Sequence, residues 1–231
     1  HAARLARAGR KATREGPWEG GPIIPRGQPR GWQTVAPSSV PHAEGETVPL
    51  ALDAEGLARI REGFVAAAKR AHALGLDGIE LHGAHGYLLH QFLSPLSNRR
   101  EDDYGGSLEN RMRFPLAVFD AVRAAVPRDM AVGMRISATD WVEGGWEIEQ
   151  SVRFALELKA RGCDFMHVSS GGLSPQQKIP VGPGYQIAFA ERIKKETGLP
   201  TIGVGLITEP RQAGAILQQD QADVVGLARA M

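Results

Sequence analysis

The chain has 231 residues, 42% of them hydrophobic, and its 27 basic residues nearly balance its 26 acidic ones. This length and apolar content suffice for one large domain or two small ones. A net charge near zero, without a basic block, argues against nucleic acid or an anionic membrane as the partner. The single cysteine, Cys163, excludes an intramolecular disulfide framework, a cysteine-bound iron–sulfur cluster and thiolate zinc sites.

No apolar run approaches the ~20 residues of a membrane helix, and no signal-peptide pattern opens the chain. We therefore expect a cytoplasmic protein that acts on a small molecule. The chain begins "HAARLARAGRK" without an initiator methionine and stops at "ADVVGLARAM", which predicts a strand with no helix to cover it. These ends indicate a piece of a longer protein.

In chain order, residues 1–6 could form a first strand, and the Gly- and Pro-rich residues 12–50 predict a long loop, a kind that is usually functional or disordered. Helical periodicity alternates with short apolar runs over the rest of the chain. Helices are predicted, with N-caps at Asp53, Ser107 and Thr208, over 53–75, 107–126, 147–162, 185–198 and 208–219, and Pro115 predicts a kink in the second of them. Buried parallel strands are predicted over 77–83, 131–137, 163–170, 200–206 and 222–228.

This alternation indicates right-handed βαβ units, which can close in two ways. An open doubly wound sheet should carry a G-x-G-x-x-G turn after its first strand, and the sequence has none. Polar, glycine-bearing strand ends favour a (β/α)₈ barrel, whose active site gathers at that face. Since such a barrel needs ~250 residues, we predict an α/β fold that is an incomplete TIM barrel of about six of the eight strands, forming one domain over residues 1–231.

The stretch "LHGAHGY" crowds titratable groups directly after a predicted strand. Strand alternation places Glu80 and His82 on the inward face. One interpretation is a loop whose histidines are satisfied internally. Another is a zinc site, although the H-E-x-x-H helix and a third ligand are missing. The third is a clamp in which His82 and His85 donate hydrogen bonds to one oxygen while Tyr87, with a reference pKa of ~10, acts as an acid.

Three further positions suggest a cofactor. Arg135 lies in the middle of a buried strand, where a guanidinium needs a partner: a core carboxylate such as Glu80, or a cofactor that becomes anionic. Gly205 and the pair Ala228 and Arg229 follow the last two strands. Backbone N–H groups at these positions of a barrel frequently bind phosphate, although tight packing would also explain Gly205.

The segment "HGAHGYLLHQFLSPLSNRREDDYGGSLENR", with "RIS", "VSSG", "VGLIT" and "LARAM" downstream, resembles the Old Yellow Enzyme family of FMN-dependent ene-reductases, in particular its YqjM-like and xenobiotic-reductase branch. The resemblance implies a (β/α)₈ barrel that holds FMN at its C-terminal rim. It also implies that NADPH or NADH donates hydride, and that the enzyme reduces the activated C=C bond of α,β-unsaturated carbonyl or nitro compounds.

By the same resemblance, the catalytic proton donor would be Tyr87, which protonates Cα while flavin N5 delivers hydride to Cβ. The substrate oxygen would bind in a site comprising His82, Gly83, Ala84 and His85. The flavin would be contacted by Arg135, and the FMN phosphate would be held by Gly205, Ala228 and Arg229. The full-length protein would be a homo-oligomer.

The sequence departs from the family pattern near its start. Relatives read like "IQLAHAGRK", with a glutamine that contacts the pyrimidine edge of the flavin, whereas "ARLARAGRK" places Arg4 at the glutamine position and Arg7 at the histidine position. Two alternatives to the flavoenzyme remain. One is a barrel lyase or aldolase acting on a phosphorylated substrate, which would need a Schiff-base lysine or a metal. The other is an inactive fragment that does not hold FMN.

Overall fold

The computed structural model describes residues 1–228 apart from 17, 19 and 22. The strands are β1 (Ala2–Leu5), β2 (Val35–Ala36), β3 (Leu50–Ala51), β4 (Gly78–Gly83), β5 (Ala131–Ser137), β6 (Met166–Ser169), β7 (Thr201–Gly203) and β8 (Val224–Val225). Six of them form one parallel sheet in the order β1-β4-β5-β6-β7-β8, and β2 pairs with β3 separately.

The helices are α1 (Ala54–Ala73), α2 (Leu88–Leu93), α3 (Leu108–Ala125), α4 (Ile148–Ala160), α5 (Ile187–Thr197) and α6 (Pro210–Gln218). The predicted caps of α1 and α3 are confirmed, because Asp53 accepts from the Gly56 N–H and Ser107 accepts from the Asn110 N–H. The predicted cap of α6 is wrong. This helix begins at Pro210, which has no N–H to be capped, and Glu209 rather than Thr208 precedes it.

The hydrophobic core lies between the sheet and its helices, so strand side chains that are not part of this core point to the other face of the sheet. Ile79 and Leu81 of β4 are fully buried in this core, so the alternating Glu80 and His82 point away from it, as predicted. The all-parallel sheet with helices between its strands confirms the α/β class. Residues 1–6 do supply a strand, β1, at one edge of the sheet, while β8 forms the other edge.

The segment between β1 and α1 is mostly loop, as predicted, with a 3₁₀ turn at Gly9–Lys11. Its anchor is Arg10, whose guanidinium donates to the carbonyls of Val40 (3.2 Å), Pro41 (3.1 Å) and Leu173 (3.0 Å). Burial lowers the pKa of Arg10 to about 10, and it remains a cation that ties this loop to the loop after β6. Within the described part of the chain, no helix is long and apolar enough to cross a membrane.

Candidate active site

The three residues predicted to be catalytic lie together at the carboxyl end of β4. The ring centroid of His82 is 5.1 Å from that of His85 and 5.1 Å from that of Tyr87. This grouping depends on a left-handed turn, because φ is +57° at His85 and +70° at Gly86. The turn reverses the chain into α2, of which Tyr87 is the N-cap residue.

Buried polar side chains stabilise this turn through hydrogen bonds and close contacts. The Gly86 N–H donates to His90 Nδ1 (2.9 Å), and His90 Nε2 lies 2.8 Å from Asp140 Oδ1, a close approach without hydrogen-bond alignment. The other oxygen of Asp140 accepts from the Ser94 hydroxyl (2.6 Å) and the Trp146 N–H (2.8 Å). Burial by itself would raise the pKa of the Asp140 carboxyl, but these partners outweigh it and hold that pKa below its usual value.

Lys11 also stabilises this turn, through hydrogen bonds to backbone carbonyls. Its ammonium donates to the carbonyls of His85 (2.9 Å) and Gly172 (2.8 Å) and lies 5.6 Å from the centre of the Tyr87 ring. Burial, together with neighbouring arginines, lowers the pKa of Lys11 to about 8. Neither this lysine nor the His90–Asp140 pair was identified from the sequence, because "GRK" and "LLHQ" are short and carry no motif of their own.

A chain of hydrogen bonds connects His85 to the end of β7. Gln186 Nε2 donates to the carbonyl of Val204 (3.3 Å), which leaves Gln186 Oε1 to accept from the Ser169 hydroxyl (3.1 Å). Since Ser169 gives its proton to Gln186, its oxygen accepts from His85 Nε2, 2.8 Å away. The Nε2–H group of His85 is therefore a hydrogen-bond donor, and its present acceptor is the hydroxyl of Ser169.

Both histidines are neutral at physiological pH. Burial, with the nearby Arg135 charge, lowers the pKa of His82 to about 4 and that of His85 to about 2. A neutral imidazole has one N–H donor and one acceptor nitrogen, and the Nδ1 atom of His82 is buried without a hydrogen-bond partner.

A cavity of about 700 Å³ opens beside this cluster, within the usual size range of ligand pockets. Four predicted site residues line it, namely His85, Arg135, Gly205 and Ala228. His82 and Tyr87 are not among the lining residues, although the ring centroid of His82 is 5.1 Å from that of His85. Gly83 and Ala84 are buried, so their contact with a substrate stays a prediction. Arg229 lies outside the described residues.

Arg135 is available to a ligand. Its Nε is buried without a hydrogen-bond partner, and no carboxylate in the described part of the chain forms an ion pair with it. The suggested pairing with Glu80 is wrong, because the Glu80 carboxylate is already bound by Arg4 and His167. Burial, together with the charge of Arg4, lowers the pKa of Arg135, so an electron-rich or anionic ligand would be favoured here.

After β7 the cavity is lined by a glycine at which any other residue would strain the backbone. Gly205 has φ of +129°, and a β-carbon there would lie 3.0 Å from Gln186 Nε2. Two buried nitrogen atoms of lining residues, Arg135 Nε and His167 Nε2, lack partners. A polar, partly cationic cavity with a glycine wall and unpaired nitrogens fits a flavin mononucleotide. Over the described residues, no group of three or more His, Cys, Asp or Glu side chains could hold a metal ion.

The parallel α/β fold and the polar cavity beside His85 suit a flavin-binding domain. Residues 4–231 match the NADH:flavin oxidoreductase / NADH oxidase family, and the chain belongs to that family. Membership confirms the predicted Old Yellow Enzyme class, in which FMN is the cofactor and NAD(P)H the hydride donor.

Two curated relatives illustrate the similarity. The chain is 43% identical, over 97% of its length, to the NADPH dehydrogenase of Geobacillus sp. (strain WCH70), and 40% identical, again over 97%, to the NADH:flavin oxidoreductase FG08077 of Gibberella zeae. It spans 61% of the first protein and 58% of the second. The chain is therefore shorter than the relatives it matches.

Solved structures agree with the incomplete barrel. Morphinone reductase in complex with tetrahydroNAD superposes with a TM-score of 0.70 at 33% identity, covering 87% of this chain and 57% of that one. Histamine dehydrogenase from Rhizobium sp. 4-9 gives a TM-score of 0.80 at 30% identity, covering 99% of this chain and 32% of that one.

Proposed function

We propose that this chain is the FMN-binding part, a single barrel domain, of an NAD(P)H-dependent oxidoreductase that reduces activated C=C bonds of α,β-unsaturated carbonyl or nitro compounds. The observation that carries the proposal is the group formed by His82, His85 and Tyr87, in which the His82 ring centroid is 5.1 Å from each of the other two. His85 lines a cavity together with Arg135, whose Nε has no partner among the described residues. Oxygen-binding donors and an acid on one turn suit the reduction of a polarised double bond.

FMN, when bound, supplies the chemistry of hydride transfer from NAD(P)H to the β-carbon of the substrate. The residues of the chain supply the rest. Neutral His82 and His85 would donate hydrogen bonds to the substrate oxygen, which displaces the Ser169 hydroxyl as the acceptor of the His85 N–H. These bonds strengthen as negative charge builds on that oxygen, so they stabilise the transition state more than the bound substrate.

Tyr87 would complete the reaction as the general acid. Its phenol hydroxyl would deliver a proton to the α-carbon. The Lys11 ammonium, 5.6 Å from the ring centre, and the turn that Lys11 fastens would hold the phenol in place. Positioning of this kind matters because general acid catalysis requires hydrogen-bond reach to the reacting atom.

The cofactor itself would be held from two sides. Arg135 would contact the electron-rich part of the flavin ring with its guanidinium, whose Nε has no partner among the described residues. Backbone N–H groups at Gly205, Ala228 and Arg229 would bind the phosphate. The cavity lining by Gly205 and Ala228 supports this arrangement.

A lyase or aldolase that acts on a phosphorylated substrate is the weaker proposal. Its Schiff base would need a lysine at the cavity, and no described lysine lines it. Lys11, the lysine beside the histidine cluster, donates to two backbone carbonyls instead.

The proposed function is tested by anaerobic oxidation of NADPH by the purified protein, supplied with FMN, in the presence and absence of 2-cyclohexenone. We expect oxidation that depends on the enone and that His85→Ala lowers by about 10²-fold or more. His72→Ala, which removes an exposed histidine of α1, is the matched control and should leave the rate unchanged. Oxidation of NADPH that does not depend on the enone would contradict the proposal.

A further inference from the structure

Arg4, Glu80 and His167 form a polar cluster on one wall of the cavity. The Glu80 carboxylate accepts from Arg4 Nε through one oxygen, and its other oxygen lies 2.6 Å from His167 Nδ1. Arg4 and His167 both line the cavity, whereas Glu80 lies behind them. Burial alone would raise the pKa of Glu80, but the bonds and charges of His167 and Arg4 keep that pKa below its usual value. Glu80 is thus an ionised brace between two cavity residues.

The Glu80 carboxylate engages Nδ1 of His167, so Nε2 is the ring nitrogen left for a ligand. A carboxylate can only accept hydrogen bonds, so His167 donates from Nδ1 to Glu80, and a ring with this single proton leaves Nε2 as an acceptor. His167 is 8% exposed, and its Nε2 is buried without a partner among the described residues. Since a buried unpaired nitrogen is costly, this atom requires a donor from outside the described chain.

Two of the residues that line the cavity with His167, Arg4 and Arg135, can only donate hydrogen bonds. Arg4 uses Nε for Glu80, and none of the described residues accepts from its terminal nitrogens. On the next strand, Arg135 is the register partner of His167 and also has an unpaired Nε. The wall therefore combines one acceptor, on His167, with donors from two guanidinium groups.

We propose that His167 and Arg4 together bind the pyrimidine edge of FMN, with His167 Nε2 accepting the flavin N3–H and Arg4 donating to an adjacent carbonyl oxygen. The edge of the flavin alternates carbonyl, N–H and carbonyl, so it needs one acceptor between donors. An amide side chain could offer donor and acceptor from one residue, whereas Arg4 can only donate. His167 supplies the missing acceptor. This inference rests on the proposed binding of FMN.

The test measures the N3–H of bound FMN directly. Protein freed of flavin is titrated with FMN labelled with ¹⁵N at N3, at mildly alkaline pH, and two quantities are recorded: the dissociation constant, from quenching of flavin fluorescence, and the exchange rate of the N3 proton, from NMR. We expect His167→Phe, which removes the acceptor but keeps an aromatic ring, to weaken FMN binding about tenfold and to accelerate N3–H exchange. His167→Gln, which retains an acceptor, should restore both.

Two further variants sharpen the test. Arg7→Leu removes an exposed arginine outside the cavity and should change neither quantity. Arg4→Gln adds a second acceptor, so in that background His167→Phe should weaken binding by less than about threefold. Full tenfold loss in both backgrounds would overturn the joint role of Arg4 and His167.

The wild-type protein gives a measurement that requires no variant. With ¹⁵N in both FMN and the histidines, a scalar coupling between N3 and His167 Nε2 would report the bond itself. Bound FMN that lacks this coupling and whose N3–H exchanges at the same rate in wild type and His167→Phe would overturn this inference alone. Failure of the protein to bind any FMN would instead contradict the proposed function, and the inference with it.

Discussion

The phenol ring of Tyr87 and the imidazole of His82 lie with their centroids 5.1 Å apart and their planes inclined by 60°. The left-handed residues His85 and Gly86 between them fold the chain back so that the two rings meet. One turn therefore carries both the group that would bind the substrate oxygen and the group that would protonate the substrate. Because they share a turn, a change that moves one ring should also move the other.

Replacing Tyr87 by phenylalanine separates the two half-reactions. The variant retains the ring but loses the proton, so we expect reoxidation of the reduced protein by 2-cyclohexenone to slow by about 10²–10⁴-fold. Reduction by NADPH, which needs no proton from Tyr87, should change by less than about threefold. Anaerobic stopped-flow absorbance measures both rates, and an equal loss in the two would exclude Tyr87 as the proton donor.

Asp140 should be important for stability, since in the core below the turn it accepts from Ser94 and the Trp146 N–H and lies 2.8 Å from His90 Nε2. We expect Asp140→Ala to lower the free energy of unfolding by about 3–5 kcal/mol, because His90, Ser94 and the Trp146 N–H lose a buried partner. Glu55→Gln breaks the exposed Glu55–Arg59 pair of α1 and should cost less than about 0.5 kcal/mol. Urea unfolding of the flavin-free protein compares them. Equal losses would show that the buried network does not stabilise the fold.

Two glycines with the same φ angle distinguish the cost of backbone strain from the cost of a steric clash. Gly86 and Gly144 both have φ of +70°, but a β-carbon at Gly86 would collide with the carbonyl of Gly172, whereas nothing lies within 4 Å of one at Gly144. We expect Gly144→Ala to cost about 1 kcal/mol from conformation alone. Gly86→Ala should cost at least about 1–3 kcal/mol more and should abolish enone reduction. Chemical unfolding that gives the same value for both would contradict the close approach of the two loops.

The buried histidines predict a decline of stability in mild acid. Burial lowers the pKa of His82 to about 4 in the folded protein, against ~6.5 in an unfolded chain. Between these values the unfolded state binds a proton that the folded state does not, so stability decreases as the pH falls from ~6.5 to about 4. Urea midpoints across this range should therefore fall more steeply for the wild type than for His82→Gln. Parallel curves would mean that His82 is not held neutral.

The strands and helices with the clearest periodicity could be predicted from the sequence. Strand β5 covers residues 131–137 as predicted, and β4 begins one residue later than predicted. Strands β6, β7 and β8 are shorter than their apolar runs. Residues that follow them, such as Ser170 and Gly205, line the cavity instead. A polar loop that is needed for a ligand is hard to distinguish from a strand end by composition alone.

The site could be predicted only where its residues are close in sequence. The cluster at 82–87 is local, and its grouping followed from strand alternation and one turn. The bonds between Arg4, Glu80 and His167 join three strands that lie far apart along the chain. No local pattern predicts such a partnership, and the sequence offered Arg135 as one alternative partner for Glu80. The hydrogen bonds of Ser169 and Gln186 with the His85 region were not predicted either, because these residues are also distant from His85 in sequence.

The binding of FMN is the central claim, and a visible absorption spectrum of the purified 231-residue chain tests it most directly. The spectrum is recorded with added FMN after removal of unbound flavin, and again after NADPH is added without oxygen. We predict a flavin band that stays with the protein and bleaches with NADPH. A protein that remains colourless after incubation with FMN would contradict the claim that this chain holds the cofactor.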